Sequence, residues 1–240
     1  MKRVIIGISG ATGTIYGIRL LEVLRRVHEV ETHLVLSPAA RRTLALETDR
    51  SVEQVEALAD QVYKPGDIAA AISSGSFRTA GMIVAPCSIK TVSGIATSYS
   101  DNLLLRAADV TLKDRRPLVL LVRETPLHLG HLKLLVQVAD MGAVVMPPMP
   151  AFYHRPASLE EVVDQTVNRA LDMLNIELDH DLFPRWQGPL GKSLVLSAKE
   201  EQAFHPQHEL PKCETSFPAD SSNSAHPESE SLLNLATRES

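Results

Sequence analysis

Apolar residues through the first three quarters of the chain follow two alternating rhythms: short β-branched runs, and longer stretches with apolar positions three and four apart. The short runs fall at 4–8, 32–36, 82–85, 118–122 and 143–146, and each feeds a segment of helical period. Ile15, Ile18, Leu21 and Leu24 make an apolar stripe on a helix over 14–26. Pro38 stands where it opens a helix running to 46. Ser51 with Gln54 forms a capping box for a helix to about residue 62. A further helix is expected over 127–140. Ser158 with Glu161 caps a last one, whose sheet-covering stripe is Leu159, Val162, Val163, Thr166, Ala170, Leu171 and Leu174. Strands that each feed a helix predict an α/β fold: a doubly wound, Rossmann-like, mostly parallel sheet flanked by helices with right-handed crossovers.

Periodicity fades from Gly188 onward, and 206–231 is rich in Pro, Ser, Glu and Asn. The chain therefore divides into a folded domain over 1–189 and a tail over 190–240 expected to be largely disordered, with apolar patches at 194–196 and 232–235. Aromatic residues are 4% against 44% hydrophobic overall, so the expected core is aliphatic. The net charge of −5 is concentrated in the tail, where eight acidic residues meet four basic ones. A nearly neutral body without a Lys/Arg cluster argues against nucleic acid or an anionic membrane as partner. Met1-Lys2-Arg3 imitates the start of a signal peptide, but Gly7, Gly10, Gly13 and Gly17 break the apolar run behind it. With no stretch long enough to span a bilayer, a cytoplasmic protein is expected. Cys87 and Cys213 are too few and too far apart for a disulfide framework, and neither has a metal-ligating neighbour, so no metal site is expected.

The carboxyl ends of the strands carry the chemistry. Gly7-Ile8-Ser9-Gly10-Ala11-Thr12-Gly13 follows the first, and a helix starting near Thr14 would turn free N–H groups toward an anion. A merely structural tight turn is the competing reading. The second strand ends on Ser37 rather than on an acid that would hold a ribose diol, which weakens a nicotinamide assignment. Ser88-Ile89-Lys90-Thr91 after the third strand suits a phosphomonoester or the polar edge of a ring, while Ser88 acting as a helix cap explains the serine equally well. Cys87 reads as a packed small hydrophobe. Arg123-Glu124-Thr125-Pro126 ends the fourth strand and is either an ion pair at the rim or part of a polar site. His128 and His131 read as helix-surface residues. Pro147-Pro148-Met149-Pro150-Ala151-Phe152-Tyr153 is a stiff loop able to hold Tyr153 at a site mouth. Arg169, near the sheet-facing stripe of the last helix, either snorkels past apolar neighbours or reaches a ligand phosphate.

Taken in order, Gly10-Ala11-Thr12-Gly13, Pro86-Cys87-Ser88-Ile89-Lys90-Thr91, Arg123-Glu124-Thr125-Pro126-Leu127 and the loop ending in Tyr153 resemble the flavin prenyltransferase family, within the flavin-containing cysteine decarboxylase-like fold group. The likeness spans roughly 1–189. It implies an enzyme that joins reduced FMN to dimethylallyl phosphate without a metal, as a homo-oligomer, a dodecamer with sites between subunits. Its prenylated FMN would supply a partner decarboxylase in ubiquinone biosynthesis. By matching motif, Gly10, Ala11, Thr12, Ser37, Ser88, Ile89, Lys90, Thr91 and Arg123 are the implied flavin-binding set. Lys113, Glu124, Tyr153 and Arg169 are the implied catalytic groups, with Arg106 added around the prenyl phosphate; Glu47 and Trp186 are further carry-overs.

The implied reaction is alkylation: flavin N5 attacks the allylic carbon as phosphate leaves, and C6 closes a fourth ring. Cations hold the leaving group and Glu124 moves a proton. Thr12 stands where serine is common and Phe77 where some members carry tryptophan. The competing functions are a flavin-dependent decarboxylase of the same fold and a non-catalytic flavin-binding protein.

Overall fold

The computed structural model describes residues 1–188; the expected tail, with Cys213, lies outside the described residues. Six strands form one parallel sheet: β1 (Lys2–Ile8), β2 (Val30–Leu36), β3 (Gln61–Tyr63), β4 (Gly81–Cys87), β5 (Leu118–Val122) and β6 (Val144–Val145). Their order across the sheet is β3-β2-β1-β4-β5-β6. Successive strands run outward from β1 in one direction and from β4 in the other, which leaves a crevice at the carboxyl ends of these two neighbours.

Alternation along each strand builds two cores. Val4, Ile6 and Ile8 of β1 with Ile83 and Ala85 of β4 face α1 (Thr14–Leu24), α2 (Pro38–Glu47) and α7 (Leu159–Asp172). Ile5 with Met82 and Val84 faces α4 (Ile89–Ala96) and α5 (Leu103–Lys113). Strands buried on both faces read as continuous apolar runs, the reason 118–122 was legible as a strand. Each fully buried Leu or Ile contributes about 1.5–3 kcal/mol relative to exposure.

Four expectations change. A sixth strand appears because α3 (Val52–Glu56), though opened by the expected Ser51–Gln54 capping box, stops well short of residue 62. Asp60 ends that segment: its carboxylate accepts from the Thr32 N–H at 2.7 Å and the Thr32 hydroxyl at 2.8 Å, and Val62 then pairs with Leu34 in β3. Ile15 on α1 is 43% exposed and Leu159 on α7 is 81% exposed, so neither belongs to its stripe. On α7 the buried face runs through Val163, Val167, Ala170, Leu171 and Leu174, which puts Arg169 on the solvent side and buries Asn168 instead. The stretch after β4 divides into α4 and α5, with Asn102 capping the second through Leu105 N at 3.1 Å.

α6 (Leu129–Asp140) packs on the sheet through one buried residue, Val138. Its Leu129, Leu132 and Val136 are exposed. Among the described residues no helix is long and apolar enough to cross a membrane.

Candidate active site

Ser9 stitches the crevice together. Its hydroxyl donates to the Pro86 carbonyl at 2.9 Å and accepts from the Ser88 N–H at 2.7 Å, tying the end of β1 to the end of β4. Buried polar groups persist where they are paired, and this one is paired twice. Above it opens a cavity of about 640 Å³, in the size range of small-molecule sites.

The cavity wall collects Gly10, Ala11 and Thr12 from the turn after β1, Ser37 from the start of α2, Ser88, Ile89, Lys90 and Thr91 from the start of α4, and Arg123 with Glu124 from the end of β5. Ser37 and Ser88 are both helix caps, accepting from Ala40 N at 3.0 Å and Thr91 N at 3.3 Å. Capping and ligand binding are compatible here, because a hydroxyl that accepts still has a proton to donate. With Ser88 committed to Thr91, the N–H groups of Ile89 and Lys90 have no acceptor within their own helix, which leaves this turn able to receive an anion.

The N-terminus of α1 is different. The side chain of Glu47, last residue of α2, accepts from Gly13 N at 3.0 Å and Thr14 N at 2.9 Å. An internal carboxylate therefore holds the position expected for a ligand anion. Burial pushes the Glu47 carboxyl up, but hydrogen bonds from Thr12, Thr14 and Gly13 outweigh it and hold it below the ordinary range. Gly10 serves packing as much as approach to a ligand: a Cβ there would lie 2.3 Å from that of Ala39.

Arg123 and Glu124 form no ion pair among the described residues, contrary to the rim-pair reading; Glu124 accepts only from Thr125 N, at 3.3 Å. Lys90 and Arg42 are likewise exposed cations with no carboxylate partner among those residues. Arg42, Pro65, Gly66, Asp101, Asn102, Leu104 and Leu105 complete the wall with Pro38 and Ala39 and were not anticipated. Arg42 sits on the polar side of α2, and its position five residues after the Ser37 cap was the available signal.

Within one protomer the remaining expected groups lie outside this wall. Arg106 donates to the Ser73 carbonyl at 3.2 Å and pairs with Asp109, and Lys113 pairs with Asp114 at 2.7 Å. Tyr153 meets His154 and Trp186 edge-on at ring separations of 5.4 and 5.8 Å. Arg169 pairs with Asp172 in a second cavity. Phe77 packs beneath the Arg3 guanidinium at 4.6 Å and against the His33 edge, in the second core. Cys87 is fully buried and burial pushes its thiol up, as fits a packed hydrophobe. His128 is exposed, as expected of a surface residue, and caps α6 through its ring, whose centroid is 3.5 Å from that of His131.

The residues of this crevice all lie within 1–171, which the flavoprotein family model matches, so the chain is a flavoprotein. The chain is 68% identical over 188 residues to the flavin prenyltransferase UbiX of Escherichia coli K12, covering 78% of this chain and all of that one. It belongs to the flavin prenyltransferase family. Two solved structures superpose with a TM-score of 0.74: AnUbiX (PadA1) in complex with FMN and dimethylallyl pyrophosphate, at 48% identity, and a dodecameric FMN-dependent UbiX-like decarboxylase from Escherichia coli O157:H7, at 50%. Each covers 78% of this chain, which spans 98% and 99% of theirs.

Proposed function

We propose that the protein joins reduced FMN to a dimethylallyl phosphate ester and releases prenylated FMN. The observation that carries this reading is the convergence of the whole expected flavin set and Glu124 on one cavity at the β1/β4 crevice. Its residues fit a flavin mononucleotide. The N-terminal turn of α4, the Ser37 hydroxyl and the Arg42 and Lys90 cations suit a phosphate, while Ile89, Leu104 and Leu105 offer apolar surface to a ring.

The bound reduced flavin supplies N5 and C6 as the atoms that bond to the prenyl carbons. Among the described residues Glu124 pairs with no cation, so it is available to take the ring proton and pass it on as phosphate leaves. Lys113, Arg106, Arg169 and the Tyr153 hydroxyl would hold that phosphate as charge develops on it. Because they lie apart in one protomer, the complete site is assembled from neighbouring copies. The apolar face of α6, which no other described residue covers, with Leu129 at 66% and Val136 at 60% exposure, supports a second copy as its covering, and the dodecameric relative supports the same arrangement. The product would pass to a decarboxylase that uses prenylated flavin, in ubiquinone biosynthesis.

Anaerobic incubation of the full chain with reduced FMN and dimethylallyl phosphate, in parallel with the pyrophosphate, tests the reading by mass analysis of the extracted flavin. A five-carbon adduct is expected. Unchanged FMN recovered from folded, flavin-binding protein with either donor would reject the transferase in favour of a flavin-binding protein.

A further inference from the structure

At the carboxyl end of α7, Asp172 holds two arginines at once. Its Oδ2 accepts from Arg169 Nη1 at 2.8 Å and from Arg185 Nη1 at 2.8 Å, and its Oδ1 accepts from Arg185 Nη2 at 2.9 Å. Arg185 is braced again from its other side, donating to Asp181 through Nε and Nη2 at 2.6 Å each. All three guanidinium nitrogens of Arg185 are thus committed to carboxylates. Arg169 is not: among the described residues nothing accepts from its Nε or Nη2, and its side chain is 45% exposed beside a cavity of about 560 Å³. The two arginines differ in what they have left to give.

We propose that Asp172 and Arg185 are positioning residues that aim the Arg169 guanidinium at the prenyl-donor phosphate; this rests on the assignment of Arg169 to that phosphate under the proposed function. Asp172 is the last residue of α7, where the helix dipole disfavours an acid. A carboxylate kept there needs compensation, and the Arg185 fork provides it in the planar, two-bond geometry that arginine makes and lysine does not. Hydrogen bonding from Arg185, against the opposing push of burial, and then the Arg169 guanidinium hold Asp172 below the ordinary carboxylate range, so it is anionic wherever the enzyme works near neutrality. The cluster is anchored to the fold by buried Asn168, whose Oδ1 accepts from Leu182 N at 2.7 Å and thereby fixes the segment leading to Arg185.

Charge alone and aim make opposite predictions. Arg169 and Arg185 are balanced by Asp172 and Asp181, so removing one acid makes the cluster net positive. If net charge governed capture of an anionic donor, D172N would bind it more tightly. If Asp172 aims Arg169, D172N binds it less tightly, because a freed guanidinium must be ordered again on binding.

Steady-state kinetics of the assembled full chain, varying dimethylallyl phosphate at saturating reduced FMN, separate the two. For D172N the donor KM is expected to rise about tenfold, equivalent to about 1.4 kcal/mol, with flavin affinity and assembly size unchanged and kcat altered less than KM. R185A, which removes the brace from the opposite side, is expected to move the donor KM the same way. On an R169A background the D172N effect is expected to vanish, as it must if Asp172 acts through Arg169. A donor KM that falls or holds in both D172N and R185A overturns the proposal, as does a D172N effect that persists in full on R169A. An R169A enzyme with an unchanged donor KM would remove the assignment of Arg169 itself, and the brace with it; a raised KM in R169A with none in D172N or R185A removes the brace alone.

Discussion

Glu47 caps α1 from a neighbouring helix, its carboxylate accepting from the Thr14 N–H at 2.9 Å and the Thr14 hydroxyl at 2.8 Å. Related folds that bind dinucleotides place a ligand pyrophosphate at this helix end. Here the chain fills it with its own anion, and the start of α4 is left as the helix N-terminus that opens on the cavity. The pocket is lined from both sides of the crevice, by the turn after β1 and the start of α2 as well as by Lys90, Arg123 and Glu124.

Replacing Glu47 with Gln tests this cap. Charge-assisted bonds to helix N–H groups are stronger than neutral ones, and loss of such a cap costs about 1 kcal/mol at an exposed position. A fall in Tm of about 2–4 °C at neutral pH is expected for a domain of this size. The Glu47 carboxyl is held below its unfolded value, so its contribution is present above the ordinary carboxylate range and is lost as pH falls through the lower folded value. Melting curves of parent and variant should therefore converge toward acid. A gap that persists at low pH would assign the loss to packing rather than to the charge.

His33 gives a pH dependence of a different origin. Its ring is 1% exposed, pairs through Nδ1 with the Tyr63 hydroxyl at 3.0 Å, and leaves Nε2 without a hydrogen-bond partner 3.6 Å from Glu31. Burial pushes its pKa down, with Glu31 and Asp60 opposing and Arg3 assisting. The unfolded chain then takes up a proton at higher pH than the folded one. Stability is complete above the ordinary histidine range, near pH 6.5, and declines as pH drops from there toward the folded value, by at most about 1.4 kcal/mol per pH unit. Urea denaturation of parent and His33→Phe between pH 7.5 and 5 should show a shallower slope in the variant. Equal slopes would place the titration elsewhere.

What the sequence disclosed depended on the range of the contact involved. The Ser51, Ser88 and Ser158 caps are local, and each forms where its spacing put it. The residues that the resemblance assigned to flavin share one cavity because a parallel sheet delivers all its carboxyl ends to one edge. β3 escaped because a three-residue edge strand carries too little pattern, and its start is set by Asp60 meeting Thr32 from another strand. Glu47 on α1 and Ser9 across the crevice are likewise tertiary contacts between positions with no periodic relation. Arg169 was placed one face too far inward because Asn168, a polar residue, takes the buried position beside it. Lys113 was assigned by resemblance alone, and Tyr153 and Arg169 by resemblance added to their loop and helix positions; one protomer does not bring the three to the cavity.

The α6 face offers a test of assembly. Leu132 and Val136 are four apart on one side of the helix and exposed at 47% and 60%. Leu132→Asp combined with Val136→Lys should leave the folded protomer intact, because surface changes outside a core shift stability by only about 0.5 kcal/mol. The same pair should break up the oligomer if a second copy covers this face. Sedimentation velocity would report smaller species with an unchanged far-UV circular dichroism spectrum. An undiminished assembly would move the interface to another surface.

The cavity floor depends on one close approach, and its two sides can be exchanged. A Cβ on Gly10 would lie 2.3 Å from the Ala39 Cβ and 3.3 Å from its Cα, so Gly10→Ala forces the turn after β1 away from α2. Overpacking of this kind costs about 1–3 kcal/mol. Because Ala11, Thr12 and Ser37 flank the contact in the cavity wall, flavin affinity should fall together with stability. Adding Ala39→Gly removes the Cβ that Gly10→Ala meets, so the double variant should recover most of the flavin affinity, less the roughly 1 kcal/mol that glycine costs in a helix. Flavin fluorescence titration of the two single variants and the double closes a cycle with a large favourable coupling, as expected for side chains in direct contact. Additive losses would mean that Gly10 is needed for its backbone at the ligand rather than for its fit against α2.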